Sequence, residues 1–273
     1  MDVNRSGYYK WLNTNKNPSE RTKKMNYAIE LVKFYHHLYP SHGYRWIRAK
    51  IQLDTGKIYT NNYIFKCFKY LNIKAINSHK VKYLSKKSLD ETYANLVKGN
   101  WDINEPMQLV VTDMTAFWCQ RTYYELTLYV DVFNNEILGY SLKDRKGCRE
   151  GYFDGIQPIL EKLKEQTDPR LILHSDRGSV YSSKAFNELL SNYSITHSMS
   201  RPGTPTDNPI IEAINGWLKD ELFTDFKINE AEDVEECIRN YIHYYNYERP
   251  AYSLNYLTPI QYKEKYYLKK CLL

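Results

Sequence analysis

From Gln108 onward the chain alternates apolar runs with turn residues in an order that leaves few folds open. Residues 107–113, 122–132 and 136–142 are three strand-like runs in direct succession. The last two are separated by Asn134-Asn135, a pair suited to a tight reversal between strands. The period then changes. The pattern predicts a helix near 148–165, a strand over 171–175, a helix near 182–190, a short strand around Ser194-Ile195-Thr196 and a helix from about 208. Three hairpin-linked strands followed by alternating helix and strand predict an α/β fold, a mixed sheet with helices on its faces. Helical periodicity returns near 230–247 and after Pro259.

Acidic residues fall at telling places in this pattern. Asp113 ends the run Gln108-Leu109-Val110-Val111-Thr112-Asp113, and Asp176 ends Leu171-Ile172-Leu173-His174-Ser175-Asp176. Open sheets hold their ligands at the carboxyl ends of strands. Glu212 lies on the helix that begins after Asp207-Asn208, with 35 residues between it and Asp176 (212 − 176 − 1). On that helix Ile211, Ile214, Leu218 and Leu222 form the apolar stripe. At about 100° per residue Glu212 and Lys219 point the same way beside it, with Asn208 and Asn215 on their side. Three such carboxylates are what a two-metal phosphoryl-transfer site needs, because hard divalent cations take oxygen ligands. Lys219 is then placed to grip a phosphate. A solvent-exposed amphipathic helix would look the same if Glu212 stood alone.

Other residues carry weaker signals. Asp131 ends another apolar run and reads as a fourth acid or as a strand-end turn residue. His174 precedes Asp176 by two, so it either orients a carboxylate or water or is a partly buried structural histidine. Ser200-Arg201-Pro202-Gly203-Thr204-Pro205 must be an irregular loop, and Arg201 in it is placed to hold substrate.

The first part of the chain is helical and basic. Ser19 reads as the N-cap of a helix over 19–38 with Ile29, Val32 and Tyr35 as its stripe. Short helices follow over 44–53 and 61–71, separated by a turn at Asp54-Thr55-Gly56. In the second, Ile64, Cys67, Phe68 and Leu71 share one face, while Asn62, Lys66 and Lys69 share the other. This pattern fits a helix-turn-helix module with a basic DNA-facing surface. It equally fits an ordinary helical hairpin. Residues 1–106 carry 19 Lys/Arg against 8 Asp/Glu (+11), and residues 107–273 carry 19 against 24 (−5). A basic front half implies a polyanionic partner.

No apolar stretch approaches the roughly 20 residues of a membrane span, and no apolar signal segment follows Met1. Cys67, Cys119, Cys148, Cys237 and Cys271 are scattered, which speaks against zinc and against a disulfide framework. A soluble cytoplasmic protein is expected.

Taken in order, several stretches resemble the transposases of the IS3 group of bacterial insertion sequences, specifically their second-reading-frame product. Arg5-Ser6-Gly7-Tyr8-Tyr9 resembles the start of that product, and His42-Gly43-Tyr44-Arg45 with 61–72 resembles its helix-turn-helix segment. Val111-Thr112-Asp113, His174-Ser175-Asp176-Arg177-Gly178 and Ile211-Glu212 with Leu218-Lys219 resemble its three acidic motifs. Tyr244-Tyr245-Asn246 with Arg249-Pro250 resembles its C-terminal signature.

The resemblance implies an RNase H-like core with a DDE triad at Asp113, Asp176 and Glu212. It implies two Mg²⁺ ions, for which Mn²⁺ substitutes. Lys219 matches the basic residue that follows the glutamate, and Arg45, Lys66, Lys69 and Arg201 are the further DNA contacts expected. The implied reactions are nicking at an element's 3′ end and attack of the freed 3′-OH on another phosphodiester. The implied partners are the element ends and target DNA, the upstream-frame product or its frameshift fusion, and further copies of the chain. The organisation expected is a DNA-binding helical region over 1–73, a basic linker over 74–104, the catalytic core over 105–225 and a helical extension over 226–273. Two other functions remain open at this stage, a DNA-binding accessory protein with a partner-dependent core and an RNase H-type nuclease.

Overall fold

The computed structural model describes residues 4–16, 18–76, 93–164, 170–201, 204 and 207–271. They form two compact units, Met1–Asn77 and Ser78–Leu273. The first contains helices α1 (Arg5–Lys16), α2 (Glu20–Leu38), α3 (Tyr44–Thr55) and α4 (Asn61–Leu71). As expected, Ser19 caps α2, its side chain accepting from the Thr22 N–H. Ile29, Val32 and Tyr35 of α2 are buried, with Ala28 added. They meet Ile47 and Ile51 of α3 and Ile64, Cys67 and Phe68 of α4 in one core. Gly56 ends α3 in the left-handed conformation, at φ 68°, which a residue without Cβ adopts at no steric cost. Helix α1 was not expected, because 5–16 is polar and shows no apolar stripe.

In the second unit, β1 (Leu109–Cys119), β2 (Thr122–Asp131), β3 (Ile137–Lys143), β4 (Ile172–Ser175) and β5 (Thr196–Met199) make one sheet of order β3-β2-β1-β4-β5. The β1–β2 and β2–β3 pairs are antiparallel, and β1–β4 and β4–β5 are parallel. This is the mixed sheet expected. The helices are α5 (Glu150–Lys164), α6 (Lys184–Asn192), α7 (Pro209–Thr224), α8 (Val234–Tyr247) and α9 (Pro259–Cys271). Val110, Tyr129, Ile156, Ile159, Leu160, Leu173, Tyr181 and Phe186 build its core. Helix α5 approaches the sheet closely through glycines: a Cβ on Gly139 of β3 would be driven into the Gly155 carbonyl oxygen. Residues of 226–271 pack into this same unit. Asn246 of α8 donates to the Ile137 carbonyl and accepts from its N–H at 3.0 and 2.9 Å.

Three expectations need correction. First, Asp113 does not end its strand. The apolar run stops at Thr112, but β1 continues to Cys119 with Thr115, Phe117 and Cys119 buried in alternation. This half pairs with β2 alone, across a hairpin whose Gln120 and Arg121 both have positive φ. Second, the last strand is Thr196–Met199 rather than 194–196. Ser194 is left-handed and the Ile195 N–H closes back on the Leu190 carbonyl, so the chain cannot extend before Thr196. Third, β4 stops at Ser175, so His174 and Asp176 do not share a strand face. Of the basic linker, residues 77–92, with Lys80, Lys82, Lys86 and Lys87, lie outside the described residues. No described helix is long and apolar enough to cross a membrane.

Candidate active site

The site begins at a gap in the sheet. β1 and β4 pair in parallel only over Leu109–Val111, so β1 runs on past the end of β4. Asp113 is thus mid-strand yet beyond the parallel pairing, and Asp176 is the first residue after β4. The sheet brings these two acids to the same opening, Asp176 at the carboxyl end of its strand as the sequence suggested and Asp113 from mid-strand. Asp113 retains some solvent access, but burial is the largest cause of its pKa rise to about 7. The charges of Asp176 and Glu212 add to the rise, while the Met114 N–H and the Asn215 amide oppose it. Burial likewise raises Asp176, against the opposing Gly178 N–H, which donates to its Oδ1 at 2.9 Å.

The ground beneath Asp176 is a buried hydrogen-bond network. His174 is fully buried. Its Nε2 donates to the Asp207 carbonyl at 2.9 Å, which fixes the tautomer and leaves Nδ1 to accept from Ser198 Oγ at 2.9 Å. Burial lowers the pKa of His174, and drives that of His197 down to about 4. His197 bridges Ser175 Oγ and Asn187 Oδ1 at 2.9 and 2.6 Å. His174 is therefore the structural histidine of the two readings. Asp131 is likewise structural: buried, it accepts from the N–H groups of Met107 and Phe133 at 2.9 and 3.0 Å. Burial pushes its carboxyl to about 6.

The glutamate arrives on α7. Asn208 stands at its N-cap position without a side-chain cap bond, and Pro209 opens it, the position where proline's missing N–H costs nothing. Ile211, Ile214, Leu218 and Leu222 are all buried, as the stripe predicts. Glu212 is exposed at the opening, and burial raises its pKa. Lys219 is half-buried on the same side. Burial lowers its pKa, and the Asp113 charge opposes that effect. Arg201 is engaged with Asp207, donating from Nε and Nη2 at 2.9 and 2.8 Å. That pair holds the Asp207 carboxyl well below the usual carboxylate range. Of the loop between them, 202, 203, 205 and 206 lie outside the described residues. Arg45, Lys66 and Lys69 are exposed on the first unit.

Three contributors were given no role at the site by the sequence. Asn215 was placed on the correct side of α7 but given no role. Its Nδ2 donates to Asp113 Oδ2 at 2.9 Å, tying the helix to β1. Tyr181, fully buried, shares a 2.8 Å hydrogen bond with Thr112 Oγ1 beside the acids. Arg249 forms a buried pair with Glu221 of α7, donating from Nε and Nη2 at 2.8 and 2.6 Å. The Tyr241 hydroxyl donates to the same carboxylate at 3.1 Å.

The arrangement has unbalanced negative charge at a half-open site. Among the described residues, no three carboxylates, imidazoles or thiols stand close enough to grip a metal ion unaided. The surroundings nevertheless suit a cation. The charge on Asp113 is disfavoured by burial and by two like charges. The buried Oδ1 atoms of Asn208 and Asn215 have no hydrogen-bond partner among the described residues. Hard oxygen donors of this kind fit Mg²⁺ better than softer metals.

A five-stranded mixed sheet of order β3-β2-β1-β4-β5, with acids at a break between its parallel strands, is an RNase H-like fold. Two family models described as "Integrase core domain" match residues 103–205 and 193–259. A transposase-like protein of Haemophilus influenzae is 32% identical over 170 residues, covering 62% of this chain and 76% of the relative. The putative transposase InsK of insertion sequence IS150 from Escherichia coli is 26% identical, over 98% of this chain and 93% of its own. The transposase of IS904 from Lactococcus lactis is 28% identical, over 91% and 98%. A chain of the simian T-cell lymphotropic virus intasome, solved in complex with PP2A regulatory subunit B56 gamma, shares the fold. It has a TM-score of 0.51 and 18% identity, over 86% of this chain and 74% of its own. The chain belongs to the insertion-sequence transposases that carry an integrase core domain.

Proposed function

We propose that Asp113, Asp176 and Glu212 are the catalytic triad of a transposase of the IS3 group, acting on the ends of its own element. The observation that carries this reading is the placement of the acids: Asp113 lies beyond the parallel pairing of β1 with β4, Asp176 directly follows β4, and the charges of Asp176 and Glu212 both disfavour the ionised form of Asp113. A protein tolerates such a cluster where a cation is to be bound. Two Mg²⁺ ions, with Mn²⁺ able to replace them, would neutralise the scissile phosphate and activate the attacking oxygen. The roles of the chain's own residues follow from their placement. Asp113 and Asp176 supply rigid ligand oxygens from the sheet and the turn after β4. Glu212 adds a third oxygen from α7, and Asn215 holds α7 and Asp113 together. Lys219 holds a backbone phosphate beside the acids, and Arg201 presents its outer face to DNA while clamped to Asp207. Water first attacks the phosphodiester at the element's 3′ end, releasing a 3′-OH. That hydroxyl then attacks a second phosphodiester and displaces its 3′-oxygen.

Residues 1–77 carry 14 Lys/Arg and 4 Asp/Glu, a net +10. We assign this unit to duplex DNA, with Arg45, Lys66 and Lys69 as phosphate contacts. Two DNA ends have to be held at once, which calls for more than one copy of the chain, in the cytoplasm and with the upstream-frame product or its fusion. The test is cleavage and joining of a labelled duplex bearing the element's end, with Mg²⁺, with Mn²⁺ and with EDTA. Metal-dependent 3′ nicks and joined products, absent in Asp176→Asn while DNA binding persists, are expected. Equal activity of Asp176→Asn would overturn the assignment. DNA binding without cleavage by the unmodified chain would point to an accessory role, and cleavage restricted to RNA–DNA hybrids to a nuclease.

A further inference from the structure

The first unit contains a cavity that the duplex-binding assignment does not use. It lies between the first half of α2 and the segment from Lys57 into α4, with a volume of about 690 Å³. Lys23, Lys24, Tyr27, Lys57, Tyr59 and Tyr63 line it. The Lys57 ammonium sits 3.8 Å from the centre of the Tyr27 ring. Tyr59 and Tyr63 are stacked, with centroids 5.6 Å apart and planes at 17°. Tyr27 is 47% exposed and the neighbouring Ile58 78% exposed, so apolar and aromatic surface faces solvent here. None of the described lining residues is a carboxylate. Lys23 does meet Glu20 at 2.8 Å, but both side chains are largely exposed, and such pairs are weak and exchangeable.

The occupant must therefore be anionic and present a flat apolar face. Nucleotides do both. In a duplex the base faces are stacked on one another, and the phosphates and base edges that it offers call for no aromatic platform. Aromatic rings interleaved with lysines in a concave surface suit bases that have left the stack. We propose that this groove binds an unpaired DNA strand, with one or more bases against Tyr27, Tyr59 and Tyr63 and the flanking phosphates against Lys23, Lys24 and Lys57. Neither Lys66 nor Lys69 lines the groove. The proposal rests on the DNA-directed reading above, since it deepens what the first unit does.

The experiment is fluorescence anisotropy of the full chain with a labelled oligothymidylate and, separately, a labelled blunt duplex. Tyr27→Leu removes a ring from an exposed position, so folding is preserved, and a thermal melt checks this. Losing one stacking platform should weaken oligothymidylate about tenfold and leave duplex affinity within about twofold. Lys57→Gln should lower the salt slope for oligothymidylate by about one phosphate's worth. Ile58→Ser, at the exposed rim, serves as a second variant with the same selective loss in a smaller measure. Unchanged oligothymidylate affinity in Tyr27→Leu, or equal losses on both probes, would overturn the groove assignment. Either result leaves the Asp176→Asn cleavage test untouched, so the groove and the catalytic reading can fail separately.

Discussion

Neutralising Asp113 should make the metal-free protein more stable while destroying its activity. In the fold its pKa stands at about 7, against 3.8 for a free side chain. Between those values the folded form keeps a proton that the unfolded chain has released. Stability therefore falls as pH rises from about 4 to about 7 and stays low above that. At 1.36 kcal/mol per pKa unit, the full cost is up to about 4 kcal/mol, and about 2–3 kcal/mol of it accrues between pH 5 and pH 8. Asp113→Asn keeps the shape and an acceptor oxygen for the Asn215 amide, and it removes the titration. Urea unfolding in EDTA should show the variant gaining on wild type by about 2–3 kcal/mol when pH is raised from 5 to 8. Adding Mg²⁺ at pH 8 should then raise wild-type stability more than that of the variant. A variant–wild type difference that is the same at both pH values would refute the claim that Asp113 carries a disfavoured charge.

Arg249→Met should cost about 3–5 kcal/mol in urea unfolding, because it leaves the buried Glu221 carboxylate without its guanidinium. Adding Glu221→Leu should recover much of that loss, and failure to recover would mean the pair is not what holds α7 to this segment. Gly139→Ala should destabilise the second unit by about 1–3 kcal/mol or more, since the clash is with backbone and α5 must move away from β3. A melting temperature unchanged from wild type would show that the gap is wider than described. The double variant Lys66→Gln, Lys69→Gln should flatten the salt dependence of duplex binding by about two phosphates' worth. An unaltered slope would remove α4 from the DNA interface.

The sequence made the succession of strands and helices legible because hydrophobic period and turn residues are local properties. The stripe on α7 is such a case: Ile211, Ile214, Leu218 and Leu222 are buried where the period puts them. What the sequence hid are relations between distant segments. The second half of β1 has weak apolar character and becomes a strand because β2 pairs with it, so Asp113 read as a strand end. β5 is built of Thr196, His197, Ser198 and Met199, with polar residues buried because they serve the network under Asp176, and hydropathy does not mark them. Asp113, Asp176 and Glu212 stood out as the candidate acids through residue type and spacing. The Asn215 bond to Asp113 and the Arg249 bond to Glu221 span 102 and 28 residues, and no local pattern announces either. Helix α1 had no signal because 5–16 carries no stripe.

The pair of Arg249 with Glu221 also imposes an order in time. A ribosome completes α7, with Glu212 on it, well before it adds Arg249. During that interval Glu221 cannot be buried with its guanidinium, so α7 cannot settle against β1 with its full set of contacts. Its apolar stripe and the Asn215 bond to Asp113 are already available to it by then. The seating of α7 is thus finished late in the growing chain, only when residue 249 has emerged to pair with Glu221.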